Sequence, residues 1–232
     1  QNAQRPVIVA GRGTCNAANY VIELAEKWQA AVVTSMVAKG KISQAHPLVL
    51  GGYGLTDSQS ARDAIEQADV ILLLGTTYWP EHFMPTGKTI IQVDAYPANI
   101  GAGHPVDYGI VGMLEDVLPR LSTKINRTET TDWFTQVRQM KMNWETQIAA
   151  ERDTAEKTTI TPAFLFGRLQ QFVPDDAIIA LETGEHTLWF DRVYERNHEL
   201  LISGTWRSHG FALPAANAAA FASPGRTVIA IT

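Results

Sequence analysis

From residue 5 to residue 121, short runs of β-forming apolar residues alternate with stretches patterned as helices, and no other feature of the chain restricts its fold as strongly. Strands separated by helices re-enter a sheet in parallel, and a parallel sheet needs helices over both of its faces. Pro6 to Ala10 reads as a buried strand, and the Gly11-Arg-Gly-Thr turn leads into a helix with Ala17, Tyr20, Val21, Leu24 and Trp28 on one face. Ala31 to Ser35 is the next strand, and Val70 to Leu74 and Thr89 to Val93 are two more. Thr56-Asp-Ser-Gln59 has the form of a capping box, so a helix should run on through Ile65. Asp116, Val117, Leu118 and Leu121 belong to a short closing helix. The expected fold class is α/β, with a doubly wound parallel sheet over residues 1–121.

Residues 122–160 differ in kind. A polar stretch from Ser122 to Thr131 is followed by Trp133, Val137, Met140, Trp144 and Ile148 at helical spacing, which predicts a linker built on one long amphipathic helix that bridges two domains along a surface. Thr161-Pro162 is an N-cap followed by proline at the first helical position, and Leu165, Leu169 and Phe172 are the expected buried stripe of that helix. Ala177 to Leu181, a loop at Gly184, a helix from about Thr187, a strand near Leu200 to Ser203, a helix around Leu213 to Phe221 and a last strand, Thr227 to Ile231, start a second α/β unit over residues 161–232.

Composition excludes several partners. Nineteen basic residues stand against 24 acidic ones, a net charge of −5, which offers no field for nucleic acid. The single Cys15 cannot form an internal disulfide, so the default compartment is a reducing cytoplasm. No apolar run approaches the roughly 20 residues that span a bilayer, and no basic-then-apolar leader is visible. The chain opens without methionine and closes on a strand, which leads us to expect a piece of a longer polypeptide whose last strand presents something that follows it.

Five glycine-bearing stretches are candidates for ligand contact. Gly11-x-Gly13, between a strand and a helix, is half of a dinucleotide fingerprint. Asn16 occupies the third glycine position, and Thr34-Ser35-Met36 lacks the acidic residue that would hold a nicotinamide ribose, so a plain turn and a nucleotide site both stay open while NAD is disfavoured. Gly51-Gly-Tyr-Gly54 and Gly75-Thr-Thr-Tyr-Trp-Pro80 fall where strands should end, as turns or as the walls of a crevice. Gly184-Glu-His186 sits at a strand exit and a helix entry, where it serves either as a simple helix start or as a phosphate contact. The polar turn from Ser203 to Pro214 is poor core material, and the small side chains of Ala215 to Ala222 call for a closely packed helix or cofactor. His46, His82, His104 and His198 lack metal-ligand spacing and read as surface or loop residues. No Gly-x-Ser-x-Gly elbow is present, and no catalytic or metal-ligating residue is assigned.

Three segments together carry a family resemblance: Arg5-Pro-Val-Ile-Val-Ala-Gly-Arg-Gly13, Val93-Asp-Ala-Tyr-Pro-Ala-Asn-Ile-Gly101 with Pro105-Val-Asp107, and Gly210-Phe-Ala-Leu-Pro-Ala-Ala216. In this order and over nearly the whole length, the chain resembles the thiamine-diphosphate enzymes of the acetolactate synthase and pyruvate oxidase family. The resemblance makes residues 1–121 a Rossmann-like central domain and residues 161–232 the first part of a diphosphate-binding domain. Gly75 to Pro85 is nearer to pyruvate oxidases. It implies an enzyme that decarboxylates a 2-keto acid such as pyruvate and passes the resulting enamine to FAD or to a second keto acid, with Mg2+ anchoring the cofactor. It also implies a homodimer or homotetramer, a Gly-Asp-Gly motif directly after Thr232, and a preceding domain that supplies the activating glutamate, so the 232 residues alone should be inactive.

Carried over position by position, the resemblance puts Gly184 and His186 at the diphosphate, with Glu185 where glutamine is common. Gly204, Ser208 and His209 fall in the segment under the cofactor rings, where His209 replaces a bulky apolar residue and Arg207 a small one. Gly11, Gly13, Gly54, Gly75, Thr76 and Asp94 match flavin-lining positions, although Thr77 stands where acetolactate synthases carry arginine and Met113 where an aspartate is common. FAD is therefore an allowed rather than a required cofactor. A catalytically silent nucleotide-binding or scaffold module of the same fold is the alternative.

Overall fold

The computed structural model describes residues 2–55, 58–76, 83–125, 127–154, 159–204 and 206–232. They form two compact units, Gln1–Ala38 with His46–Trp144, and Lys39–Ala45 with Glu145–Thr232. Residues 39–45 go with the second unit, and the long helix is divided between the two.

The first unit is a six-stranded, wholly parallel sheet of β1 (Pro6–Ala10), β2 (Ala31–Thr34), β3 (Val49–Gly52), β4 (Val70–Leu74), β5 (Thr89–Asp94) and β6 (Tyr108–Val111) in the order β3-β2-β1-β4-β5-β6. This is a Rossmann-like arrangement whose strand order reverses between β1 and β4. Every residue of β1 and β2 is buried, as expected for strands covered on both faces, and side chains such as Val7 and Ile8 each contribute about 1.5–3 kcal/mol relative to exposure. The helices are α1 (Ala18–Trp28), α2 (Gln59–Gln67) and α3 (Leu114–Ser122), and α1 packs on α3. The Gln29 side chain, just past α1, accepts from Thr131 N and Oγ1 at 2.8 Å and donates to Glu129 O at 2.7 Å, which fixes the entry to α4 (Asp132–Asp153). Trp133 and Val137 of α4 are buried, and the Trp133 indole donates to Pro6 O at 3.1 Å.

The second unit holds three parallel strands in the order β8-β7-β9: β7 (Ile178–Leu181), β8 (Glu199–Ile202) and β9 (Val228–Ile231). Its helices α5 (Pro162–Phe172), α6 (Glu185–Val193) and α7 (Ala212–Ala222) flank the sheet. Phe190 stacks on Tyr194 with ring centroids 4.3 Å apart, and Phe166 meets Phe190 edge-on at 5.6 Å. Lys39 is buried in this unit, where Nζ donates to Asp191 O at 2.5 Å and lies 3.6 Å from Asp191 Oδ1.

Several expectations about single residues need correction. Tyr20 is 38% exposed and lies off the buried face of α1, which is made by Val21, Leu24, Ala25 and Trp28. The cap of α2 is Ser58, whose Oγ accepts from Ala61 N at 3.2 Å; Thr56 and Asp57 lie outside the described residues. Leu165 and Phe172 are 51% and 80% exposed, because α5 turns Ala163, Phe166 and Gly167 to the core. Arg152 packs so closely on Gly167 that a Cβ there would come within 2.9 Å of it, so the core face follows the one residue without a side chain. His198 is buried: Nε2 bonds to Pro174 O at 2.9 Å, and Nδ1 takes the Tyr194 hydroxyl at 3.0 Å. His82 lies outside the described residues. Ala212 and Ala216 of α7 pack on Ala180 of β7, while Ala218, Ala220 and Ala222 are exposed.

Candidate functional site

All the residues singled out as ligand contacts fall at the carboxyl ends of strands, the edge where open α/β sheets take ligands. In the first unit Gly11, Gly13, Gly75 and Thr76 meet at the switch between β1 and β4. Gly11 N donates to Leu74 O at 2.8 Å and Gly13 N to Gly75 O at 2.9 Å. A Cβ on Gly11 would come within 2.4 Å of Gly75 O, and one on Gly13 within 2.7 Å of Gly75 Cα. The three glycines are therefore a crossing of two backbones. The N–H groups that a phosphate-binding turn would offer are given to carbonyls, and the chain then makes a short 3-10 turn, Arg12–Thr14, before α1. This favours the plain-turn reading of Gly11-x-Gly13.

Asp94 is buried at the end of β5, and Oδ1 accepts from Tyr96 N and Asn99 Nδ2, both at 2.9 Å. Its neighbour Gln92 donates to Thr76 O at 3.1 Å and to Asn99 O at 2.9 Å, and accepts from Gly101 N at 2.8 Å. Gln92 thus ties the β4 loop to the β5 loop. Sequence reasoning passed over it, though a polar residue inside the apolar run Thr89–Asp94 was a usable signal. Gly54 follows Tyr53, whose hydroxyl donates to Phe83 O at 2.6 Å and whose ring meets Phe83 edge-on at 6.3 Å, so the loop after β3 reaches the β4–β5 connection. Thr77 to Pro80, with Glu81 and His82, lie outside the described residues.

In the second unit, the loops after β7 and β8 bring Gly184 and His186 toward Gly204, Ser208, His209 and Gly210. Gly184 is the N-cap of α6 and provides no side-chain cap, so the N–H groups of Glu185 and His186 have no partner within that helix, whereas Thr187 N donates to Gly184 O at 3.1 Å. His186 folds back over Gly184: a Cβ there would lie 2.6 Å from His186 Cε1. Its Nε2 sits 3.0 Å from Glu182 O, and because a carbonyl only accepts, the proton is on Nε2. Trp206 to Gly210 form an exposed turn with Arg207 at φ 50 and Gly210 at φ 84; Thr205 lies outside the described residues.

Glu182 joins these two loops and was missed from the sequence. Its Oε1 accepts from Thr183 N and its Oε2 from Ala212 N, each at 3.0 Å, while its carbonyl receives the His186 ring and the Thr187 hydroxyl. The Ala212 N–H, aided by Thr183 N–H, Gly210 N–H and the His209 ring, holds the Glu182 carboxyl below the usual carboxylate range against the opposing effect of burial. A carboxylate directly after the apolar strand Ile178-Ile-Ala-Leu181 was the available signal.

An open hollow of about 910 Å³ lies elsewhere in this unit, beside Gln170, Phe172, Val173 and Arg196. These residues precede β7 and β8, so the hollow is at the amino ends of the strands. Its one cation, Arg196, already bonds to Gln170 O, Val173 O and Asp175. Among the described residues no cluster of three His, Cys, Asp or Glu could hold a metal, and no helix is long and apolar enough to cross a membrane.

Residues 1–121 match the family model described as the central domain of thiamine pyrophosphate enzymes, and residues 182–232 match that of the C-terminal thiamine pyrophosphate binding domain. The chain is 32% identical over 99% of its length to the thiamine pyrophosphate-containing protein YdaP of Bacillus subtilis, covering 40% of that protein. It is 32% identical over 98% of its length to the acetolactate synthase isozyme 1 large subunit of Escherichia coli, covering 41%. With the acetolactate synthase large subunit of Corynebacterium glutamicum it shares 30% identity over 99% of its length, covering 38%. The chain spans about two fifths of the length of these relatives.

Proposed function

The chain belongs to the thiamine pyrophosphate enzyme family, and on that premise we propose that its protein decarboxylates a 2-keto acid such as pyruvate, with thiamine diphosphate and Mg2+ bound. The observation that carries this reading is that Gly184, His186 and the Trp206–Gly210 turn lie in the loops after the adjacent parallel strands β7 and β8, which Glu182 joins. The donor set suits an anionic diphosphate: first-turn N–H groups of α6, the Ser208 hydroxyl, and the basic side chains Arg207 and His209. Glu185 opposes it, but that side chain is exposed, so solvent screens its charge. Mg2+ has no cluster of three candidate ligands among the described residues, and we assign it none here.

When bound, the cofactor supplies a positively charged ring that accepts the electron pair released with carbon dioxide. The part of this chain is to hold and orient it. Gly184 leaves room for the His186 ring, His186 keeps its proton on Nε2 toward Glu182, and the exposed turn at Ser208 and His209 forms the facing wall. The acceptor is a second keto acid or FAD, and the homologous acetolactate synthases favour the first. Calorimetry of the full-length protein with thiamine diphosphate and Mg2+, followed by a pyruvate assay scoring carbon dioxide and acetolactate, tests the reading. Binding with acetolactate as product supports it. Absence of binding supports a silent scaffold module instead. A rise in melting temperature with added FAD would move the acceptor to the flavin.

A further inference from the structure

We propose that Glu182 is the positioning residue of the cofactor site, a clamp whose single side chain sets the distance between the Gly184 loop and the Trp206–Gly210 turn. The inference rests on the thiamine diphosphate reading above and assigns a role to a residue outside every stretch singled out in the sequence. Glu182 is the first residue after β7, which ends at Leu181. Three hydrogen-bond acceptors on this one residue serve two helices. The carbonyl holds His186 and Thr187 of the first turn of α6, Oε2 holds Ala212 N of the first turn of α7, and Oε1 closes its own loop at Thr183 N.

The chemistry requires a carboxylate. Ala212 N and Thr183 N are both donors, and each needs an acceptor oxygen, so a glutamine of the same size satisfies one and turns its own NH2 toward the other. Trp206 to Gly210 are exposed, and the Glu182 carboxylate meets their near end through Ala212 N and the Gly210 N–H. Glu182 is itself buried, and its carboxylate is spent on backbone N–H groups; it is placed to orient the loops and not to touch a reacting atom.

The test uses Glu182→Gln and Glu182→Asp in the full-length protein, with two readouts: calorimetry with thiamine diphosphate and Mg2+, and amide hydrogen exchange. Glu182→Gln is expected to weaken cofactor binding about tenfold or more, the effect of losing one charge-assisted hydrogen bond. Exchange should speed up at residues 183–187 and 208–213 and stay unchanged in β1. Glu182→Asp, which keeps both acceptor oxygens, should recover part of the affinity, and saturating cofactor should restore kcat in both variants. Unchanged affinity and exchange in Glu182→Gln would overturn the clamp, as would a kcat loss that saturating cofactor does not repair. If the wild-type protein fails to bind thiamine diphosphate, the functional reading falls and this role falls with it. Accelerated exchange in Glu182→Gln would then show only a structural tie.

Discussion

Adding one methyl group at three glycines separates the two costs that the backbone crossing in the first unit combines. Gly11 has an ordinary backbone (φ −98), but its Cβ would meet Gly75 O and Thr76 Cβ at 2.4 Å, so Gly11→Ala suffers a clash without backbone strain. Gly54 has φ +117 with nothing within 4 Å, so Gly54→Ala suffers strain without a clash. Gly75 has φ +56 and a Cβ that would lie 2.5 Å from Gly13 Cα, so Gly75→Ala suffers both. Forcing backbones apart costs about 1–3 kcal/mol and a disfavoured left-handed residue about 1–2 kcal/mol, so Gly75→Ala should cost about 2–5 kcal/mol. Each figure is offset by about 0.4–1 kcal/mol because alanine stiffens the unfolded chain. Urea-dependent amide exchange in β1 and β4, which reads the first unit by itself, measures all three. A Gly11→Ala that stabilises the unit would refute the close crossing.

Three further outcomes follow from the second unit and from α2. Burial pushes the Tyr194 hydroxyl up from 10.0 to about 12 despite nearby Arg196, so the folded state holds this proton more tightly than the unfolded one. Its contribution to stability is therefore complete below about pH 10 and lost as the pH rises toward 12; urea midpoints of Tyr194→Phe should lack that alkaline loss, and an identical loss in the variant would count against it. Ser58→Ala removes the cap of α2 and a donor to buried Leu50 O at 2.5 Å, and should cost about 1–2 kcal/mol in the same exchange experiment. Phe166→Ala should cost about 3–5 kcal/mol, whereas Phe172→Ser should stay within about 0.5 kcal/mol in thermal melts, reversing the order that helical spacing alone would give.

The fold was legible where pattern and burial agree. β1, β4 and the first three residues of β2 are apolar because they are covered on both faces, and a run of Val, Ile and Leu with a turn at each end has few other readings. β6 was not legible. Tyr108-Gly-Ile-Val111 is an exposed edge strand whose place is fixed mainly from outside, by the backbone ladder to β5 and by Asp107, whose Oδ2 accepts from Ile90 N at 2.8 Å. The wrong face of α5 has a similar cause. α5 turns Phe166 to the core together with Ala163 and Gly167, and Gly167 leaves the room that Arg152 occupies, so Leu165 and Phe172 fall on the other side. Hydrophobicity ranks what gains from burial, while packing distance decides which side chains have room for it.

The same limit applies to the glycines, with more at stake for function. A phosphate loop and a crossing of two chains both require a missing Cβ, so Gly11-x-Gly13 has one sequence pattern and two physical meanings. What separates them is the destination of the N–H groups, a long-range property: Gly11 and Gly13 give theirs to Leu74 and Gly75, more than sixty positions along the chain. In the second unit the distribution is reversed. There the carboxylate of Glu182 accepts from Thr183 N and Ala212 N, and its own carbonyl from the His186 ring and the Thr187 hydroxyl. The Trp206–Gly210 turn is left on the surface with its hydroxyl and imidazole at hand. A site of this kind is built by a residue that faces inward, and a search for exposed polar chemistry at strand ends finds the walls of the site before it finds what holds them.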